Sequence, residues 1–485
     1  MDRVMKKIKG ITKEDILCFF IIISPVLDML SFIFRHSFNT SFSPSTFIRP
    51  IIPIIIIMII FFKNKFKIKL FLGALIYGIY ALIHIFIFNN IKTESSYGGV
   101  INELQYIVNY SFMILNLFIY TYVFYKKDNN RLKKSVLISL SIYILSIFIA
   151  ILTNTSSTTY IEGTGYKGWF ESGNSLCAIL CISLCIIISF VKEKKIRLIA
   201  IPIIILTGIF LTTLVGTRTG LFGFVLIVFA YVVSELFVAI LKRVQVNIKL
   251  IFSGLILIIL FIGVVGFFGS NTLERREHLK NIESNIYDSS TGQVSHISGD
   301  LLKLKQKIEN NELNEDYMSK PAQQSIIDLY NYAEETNMVN NDMRMQQFIY
   351  NINLFKNQDS LLLDLFGNGY KAQFRELVME MEIPAFLFNF GVLGFLLYFG
   401  PFLALFLYFL YFGIKNIKKI DSEYIMLLFG LLLSFGLSFL SGYTFFYASA
   451  SLLIIVICIM LINKINLIKK AKTDYELNLK ISGGS

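Results

Sequence analysis

The chain has 485 residues, of which 55% are hydrophobic and 16% charged, and its formal net charge is +12. A water-soluble protein of this length carries more charge, and several segments of about 18 residues or more hold almost none, the length needed to cross a hydrocarbon core. Water-soluble classes are excluded, and a polytopic membrane protein is indicated.

In chain order, the basic N-terminus (Arg3, Lys6, Lys7, Lys9, Lys13) leads into a first apolar span over 15–34. No small-residue cleavage site follows, so no cleaved signal peptide is expected. Further spans are predicted over 47–62, 69–88, 103–125, 135–153, 172–191, 197–214, 219–241 and 249–268. Three more follow over 385–413, 423–442 and 445–464, making 12. They are read as helices, because lipid offers no partner for an unpaired backbone group. The fold class is therefore all-α integral membrane.

Alternate connections are basic. Lys63, Lys65, Lys67 and Lys69 fill the second, Lys126, Lys127, Arg131, Lys133 and Lys134 the fourth, and Lys192, Lys194, Lys195 and Arg197 the sixth. The eighth and tenth connections and the C-terminal tail repeat the pattern. The positive-inside rule places both termini in the cytoplasm. Residues 1–268 then hold nine spans, 269–384 form a long polar segment on the outer face, and 385–485 hold three spans and a tail. The outer segment carries 11 Lys+Arg against 18 Asp+Glu, and the rest of the chain 34 against 15. The basic excess thus belongs to the cytoplasmic face and indicates topology, not nucleic acid. Helical periodicity is expected in the outer segment over 322–336 and 342–357, where Phe348, Ile349, Ile352 and Phe355 share a face and Asn340-Asn341-Asp342 suits a cap. The stretch 281–320 is more polar.

Five features at the outer face could carry chemistry. Leu214-Val215-Gly216-Thr217-Arg218-Thr219-Gly220 joins the seventh and eighth spans. An arginine is costly in a bilayer and marks a functional position. At a helix N-terminus, beside Thr217 and Thr219, Arg218 suits a diphosphate; a hairpin arginine reaching lipid head groups is the plainer alternative. Arg344 opens the helix at 342–357, either as a phosphate ligand or as a surface charge. Glu380 and Glu382 precede the tenth span. Spaced two apart, they point about 200° from each other, so one could be a general base while the other faces water or complements the helix dipole. Arg49 opens the second span and could join an anion site. The loop from Gly165 to Asn174 offers Lys167, Trp169 and Asn174 to a sugar or a head group, or serves as an interfacial anchor. Cys177, Cys181 and Cys185 fall on one helix face, and they, Cys18 and Cys458 read as buried small residues. The four histidines lack metal-ligand spacing.

With these residues in view, the chain resembles the O-antigen ligase/O-antigen polymerase superfamily of bacterial membrane glycosyltransferases, of the GT-C type. LVGTRTG is similar to its Ser/Thr-Arg-x-Gly signature, and GYKGWFESGN to its glycine–aromatic–Asn segment. DMRMQQFIYNINLFKNQDSLLLDLFGNGY resembles the Arg-initiated helix followed by a Gly-x-Gly turn. In EMEIPAFLFNFGVLGF, Glu380 is followed by ten residues and then Gly391, as in the family's acidic or His motif. Ligase members typically carry His at that position, so Glu-x-Glu looks more like the polymerase branch and leaves the base open between Glu380 and Glu382.

The resemblance implies transfer of a glycan from undecaprenyl diphosphate on the outer leaflet, by an inverting reaction with no metal or other cofactor. The product would be a surface polysaccharide: capsule, exopolysaccharide or O-antigen. Arg218 and Arg344, with Arg49, would hold the diphosphate, and Lys167, Trp169, Asn174, Thr217 and Thr219 would line the substrate site. Partners would be the lipid-linked donor, a glycan acceptor and membrane lipid, with a chain-length regulator and a flippase as further candidates. Competing readings are a ligase, a non-enzymatic transporter or flippase of lipid-linked glycans, and an outer-face receptor. A transporter calls for charged residues in mid-span, and the spans hold almost none.

Overall fold

The computed structural model describes residues 12–38, 43–63, 67–90, 99–160, 163–242, 300–315, 318–336, 343–370 and 377–482, with isolated positions 263, 271, 273 and 274. Eleven of the twelve expected spans carry helix. These are α1 (Lys13–Ser37), α2 (Pro44–Lys63), α3 (Lys67–Asn90), α4 (Val100–Phe124), α5 (Asn130–Leu152), α6 (Gly173–Ser189), α7 (Lys194–Ile209) and α8 (Arg218–Lys242). A short hairpin of β1 (Ser157–Thr158) and β2 (Tyr166–Gly168) precedes α6. The expected span at 249–268 lies outside the described residues apart from one position, and so does the Asn340–Asp342 cap. Among the described residues nine helices are long and apolar enough to cross a membrane, and two shorter apolar stretches, Ile48–Met58 and Gly173–Ser189, accompany them.

The polar segment folds as α9 (Asp300–Glu309), α10 (Lys320–Thr336), α11 (Met343–Asn357) and α12 (Leu361–Phe366). Helix α11 is apolar on two sides. Ile349, Tyr350 and Leu354 join Ile326, Leu329 and Tyr330 of α10 in a core separate from that of the spans. Phe348, Ile352 and Phe355 pack instead on Ala385 and Phe388, which lie in α13 (Glu382–Gly394). Burying both faces anchors the polar segment to the spanning bundle. The chain ends with α14 (Gly400–Lys415), α15 (Ser422–Leu440) and α16 (Ala448–Ser482).

Helix α6 is the centre of the bundle, buried along nearly its whole length. Its cysteine face explains the packing. Cys177, Cys181 and Cys185 meet Gly220, Gly223 and Gly430, so thiols on one helix fill notches on α8 and α15. Small residues facing each other let the backbones approach closely, which is how helices associate without a hydrophobic gradient. All five cysteines are free and buried.

Among the described residues, basic side chains of the fourth connection and of the C-terminal tail are tied to acids at one end of the bundle. Buried Lys133 pairs with Glu193 at 2.8 Å and Glu423 at 3.0 Å, and Lys464 pairs with Asp421 at 2.8 Å and with Glu423. Asp421 is partly withdrawn from water, which would raise its pKa, but Lys464 outweighs this and holds the carboxyl below its ordinary value. Arg131 pairs with Asp15, and Lys127 with Glu14.

Candidate active site

At the other end, the turn that opens α8 is built against the loop that opens α6. Gly216 (φ +79°) and Gly165 (φ +74°) face each other, and a Cβ on Gly216 would lie 3.3 Å from the Gly165 Cα. Only glycine fits both backbones so close with positive φ. Thr159 Oγ1 donates to the Val215 carbonyl at 2.7 Å and holds the two loops together. Thr217 is buried and caps α8, its hydroxyl accepting from the Gly220 N–H at 3.1 Å, and its Oγ1 lies 3.0 Å from Cys177 Sγ. Arg218 is the exposed residue of the turn, and its side chain forms no ion pair among the described residues. Thr219 is half-buried beside it.

In the neighbouring loop, Lys167 Nζ donates to the Glu171 carbonyl at 2.9 Å, and Trp169 Nε1 donates to Thr155 Oγ1 at 3.0 Å. Partial burial pulls the Lys167 pKa down, against the pull of Glu171. Asn174 is half-buried in the first turn of α6.

The two glutamates before the tenth span have different surroundings. Glu382 is buried, and both its oxygens are fully engaged. Oε1 accepts from the Thr444 and Phe446 N–H groups at 2.8 Å each. Oε2 accepts from the Phe445 N–H at 2.8 Å and Ser438 Oγ at 2.9 Å. This carboxylate organises the 444–446 loop. Glu380 is 40% exposed and faces Arg344, whose Nε lies 3.2 Å from its Oε2. Its backbone N–H donates to Gln347 Oε1 at 3.1 Å, fixing it to α11. A segment of α11 thus supplies the cation and the clamp for a carboxylate 36 residues later.

Arg49 sits in a buried ion pair. Its Nη2 lies 2.6 Å from Asp28 Oδ1 and 2.8 Å from Ser449 Oγ, while Asp28 Oδ2 accepts from Tyr143 Oη at 2.5 Å and Ser449 Oγ at 2.7 Å. Its charge is spent inside the bundle, unlike that of Arg218. Arg49 and Asp28 nevertheless line a cavity of about 260 Å³ whose walls include Glu171 and Ser172 together with Tyr443, Phe446 and Tyr447. The cavity lies between the loop that supports Arg218 and the loop that Glu382 organises. Among the described residues Arg218 makes no hydrogen bond or ion pair with Arg344 or Glu380.

The glycine that follows the acidic position after ten intervening residues has a definite role. Gly391 has φ +66° and ψ −177°, which opens α13 and frees its carbonyls. Asn368 N–H donates to the Phe388 carbonyl at 3.0 Å, Gly369 N–H to Asn389 at 2.8 Å, and Tyr80 Oη to Phe390 at 2.7 Å. The Gly-Asn-Gly turn therefore replaces the helix's own hydrogen bonds at the break, as buried backbone requires. The turn is clamped in its own right. Glu103 Oε2 accepts from the Tyr370 N–H at 2.9 Å, Glu103 Oε1 lies 2.7 Å from His84 Nε2, and His84 Nδ1 lies 2.7 Å from the Phe366 carbonyl. A carbonyl can only accept, so His84 Nδ1 carries a proton, and Nε2 shares another with Glu103. Tyr370 then stacks on Tyr106 at 3.7 Å, and Tyr106 packs on Phe446.

Sequence reasoning did not single out Asp28, Glu103 or His84 as site-building residues. The available signal was an ionisable group inside or at the start of an apolar span.

Among the described residues the helical membrane bundle thus carries an exposed arginine turn, an Arg–Glu pair on a folded polar segment and a polar cavity. The sequence profile of the family described as O-antigen ligase like membrane protein matches residues 11–468. The chain belongs to that family, and its work is glycan processing at a membrane by glycosyltransferase-type chemistry. Comparison with curated proteins returns no match.

Proposed function

We propose that the protein polymerises lipid-diphosphate-linked oligosaccharide repeat units into a surface polysaccharide on the outer leaflet. Both termini are then cytoplasmic and the 269–384 segment extracytoplasmic. In this reading a hydroxyl of the acceptor sugar attacks the anomeric carbon of the donor, with inversion. The bond from that carbon to the diphosphate oxygen breaks, and the electron pair leaves with the diphosphate. The hydroxyl proton passes to Glu380. Arg218 and Arg344 counter the charge that develops on the leaving group, the kind of fixed electrostatic stabilisation that dominates many transfer reactions. A guanidinium can grip two phosphate oxygens at once, and among the described residues Arg344 engages Glu380 through Nε.

The observation that carries the assignment of the base is the contrast between the glutamates. Glu382 is buried and has four donors, whereas Glu380 is 40% exposed and accepts one side-chain hydrogen bond among the described residues. A proton acceptor must be reachable by the hydroxyl it serves. Arg218, open and unpaired among the described residues, supports the diphosphate role; Arg49, paired with Asp28, is given a supporting role instead.

The test is incubation of purified protein with a lipid-diphosphate-linked repeat unit, with and without EDTA, read as a glycan ladder on a gel. A ladder that persists in EDTA is expected. A single band added to a supplied acceptor means ligase, and movement of the lipid across a liposome membrane without chain growth means transport.

A further inference from the structure

We propose that the cavity between the Gly165–Asn174 loop and the 443–447 loop is a binding subsite for one uncharged sugar ring of the glycan substrate. The proposal rests on the polymerase reading for the identity of the glycan, not for the existence of the site.

Charge comes first. Two cations line the cavity, and each is already matched. Arg49 pairs with Asp28 at 2.6 Å, and Arg35 pairs with Glu171 at 2.7 Å. Two positive and two negative groups leave the lining formally neutral. An anion site needs a cation whose charge is not spent, as at Arg218; among the described residues this cavity offers none. A neutral, hydroxyl-rich ligand meets no such penalty.

Hydrogen-bonding capacity comes second. Glu171 Oε1 is buried with no hydrogen-bond partner among the described residues, while Oε2 is held by Arg35. A buried acceptor left unmatched is costly, and a ligand hydroxyl is a donor that would match it. Gln105 and Asn109, also in the lining, lie one helical turn apart on α4, and neither makes a side-chain hydrogen bond among the described residues. Amides both donate and accept, as do sugar hydroxyls.

Shape comes third. The 443–447 loop adds the ring of Phe446 to the lining, an apolar surface for the C–H face of a sugar. At about 260 Å³ the cavity is just below the range of about 300–1,000 Å³ found for drug-sized ligands. That volume suits a single sugar ring. Both loops that line it are fixed in place, the first against the turn that carries Arg218 and the second by Glu382.

The experiment uses Trp169, the one tryptophan of the chain, two residues from Glu171. Purified full-length protein is titrated with free neutral hexoses, N-acetylhexosamines and deoxyhexoses, and separately with sodium pyrophosphate, while Trp169 fluorescence is followed. At least one sugar is expected to give a saturable change with a Kd on the order of 1 mM. The pair Gln105→Ala and Asn109→Ala, whose side chains make no hydrogen bond among the described residues, is expected to weaken that response about ten-fold without changing the spectrum of the unliganded protein. Arg218→Ala is expected to leave it unchanged. In the ladder assay the same pair should raise KM for whichever substrate contributes the ring. Varying donor and acceptor in turn tells which. No saturable response to any of the sugars, a response indifferent to the pair, or a response driven by pyrophosphate overturns the subsite. A sugar response lost in the pair, from a protein that makes no polymer, upholds the subsite and sinks the polymerase reading.

Discussion

Replacing each glutamate by glutamine separates the two acids by independent readouts. In Glu382→Gln one oxygen becomes an NH2. Placed at Oε1, it faces two backbone N–H donors; placed at Oε2, it faces the Phe445 N–H and the Ser438 hydroxyl. The hydroxyl can turn round and accept, so the second placement is preferred, and one buried N–H is orphaned. An orphaned donor costs about 1–3 kcal/mol, and the remaining bonds lose charge assistance worth about 1 kcal/mol each. The sum is about 4 kcal/mol. With an unfolding entropy of about 2.1 cal/mol/K per residue over 485 residues, this lowers the melting temperature by about 4 °C. Glu380→Gln breaks one half-exposed ion pair, worth about 0–1 kcal/mol, so its melting temperature stays within about 1 °C of the parent. The ladder assay should reverse the order, with Glu380→Gln making no polymer and Glu382→Gln retaining activity at temperatures where it is folded. Thermal unfolding in detergent, run beside the ladder, gives both numbers. A Glu382→Gln protein of normal stability with no activity, or a Glu380→Gln protein with a normal ladder, refutes this division of roles.

Three further outcomes follow from the geometry. Arg218→Ala and Arg344→Ala should each cut polymer formation about 100-fold or more while the protein stays in the membrane fraction, since a lost electrostatic stabiliser costs about that much in rate; normal polymer from either removes its diphosphate role. Gly391→Ala should reduce the yield of folded protein, because a Cβ there would run into the backbone of Leu365 and Gly367 and positive φ costs a further ~1–2 kcal/mol; size-exclusion profiles of the two proteins decide it. Glu103→Ala removes one partner of a buried pair and the acceptor of the Tyr370 N–H, and should destabilise by about 3–5 kcal/mol, read as lost thermal stability; a variant as stable as the parent would mean the clamp on the Gly-Asn-Gly turn is unimportant.

Much of this protein is written locally. Apolar runs of fixed length had to become helices, because each helix satisfies its own backbone in lipid. The polar segment likewise announced α10 and α11 through the spacing of residues such as Phe348 and Ile352, and the cysteine triplet announced one packed face. The order of short motifs around Arg218, Arg344, Glu380 and Gly391 was enough to resemble a family, and the match over 11–468 bears that out. What the motifs left open was how each residue is used. The two glutamates are chemically identical and two positions apart, and nothing in their neighbours says that one will meet four donors and the other an arginine. Arg49 resembled Arg218 as an arginine at the start of a span, yet one is buried against Asp28 and the other exposed.

The reason is that partners are chosen by which helices pack, not by sequence distance. The bond from Ser449 to Asp28 spans 421 residues, and those from Glu382 to the 444–446 loop span more than 60. Sequence periodicity determined which segments are helices and which faces are apolar. Only the tertiary structure decided which buried charges cancel, which carboxylate stays open, and where a cavity is left between the loops.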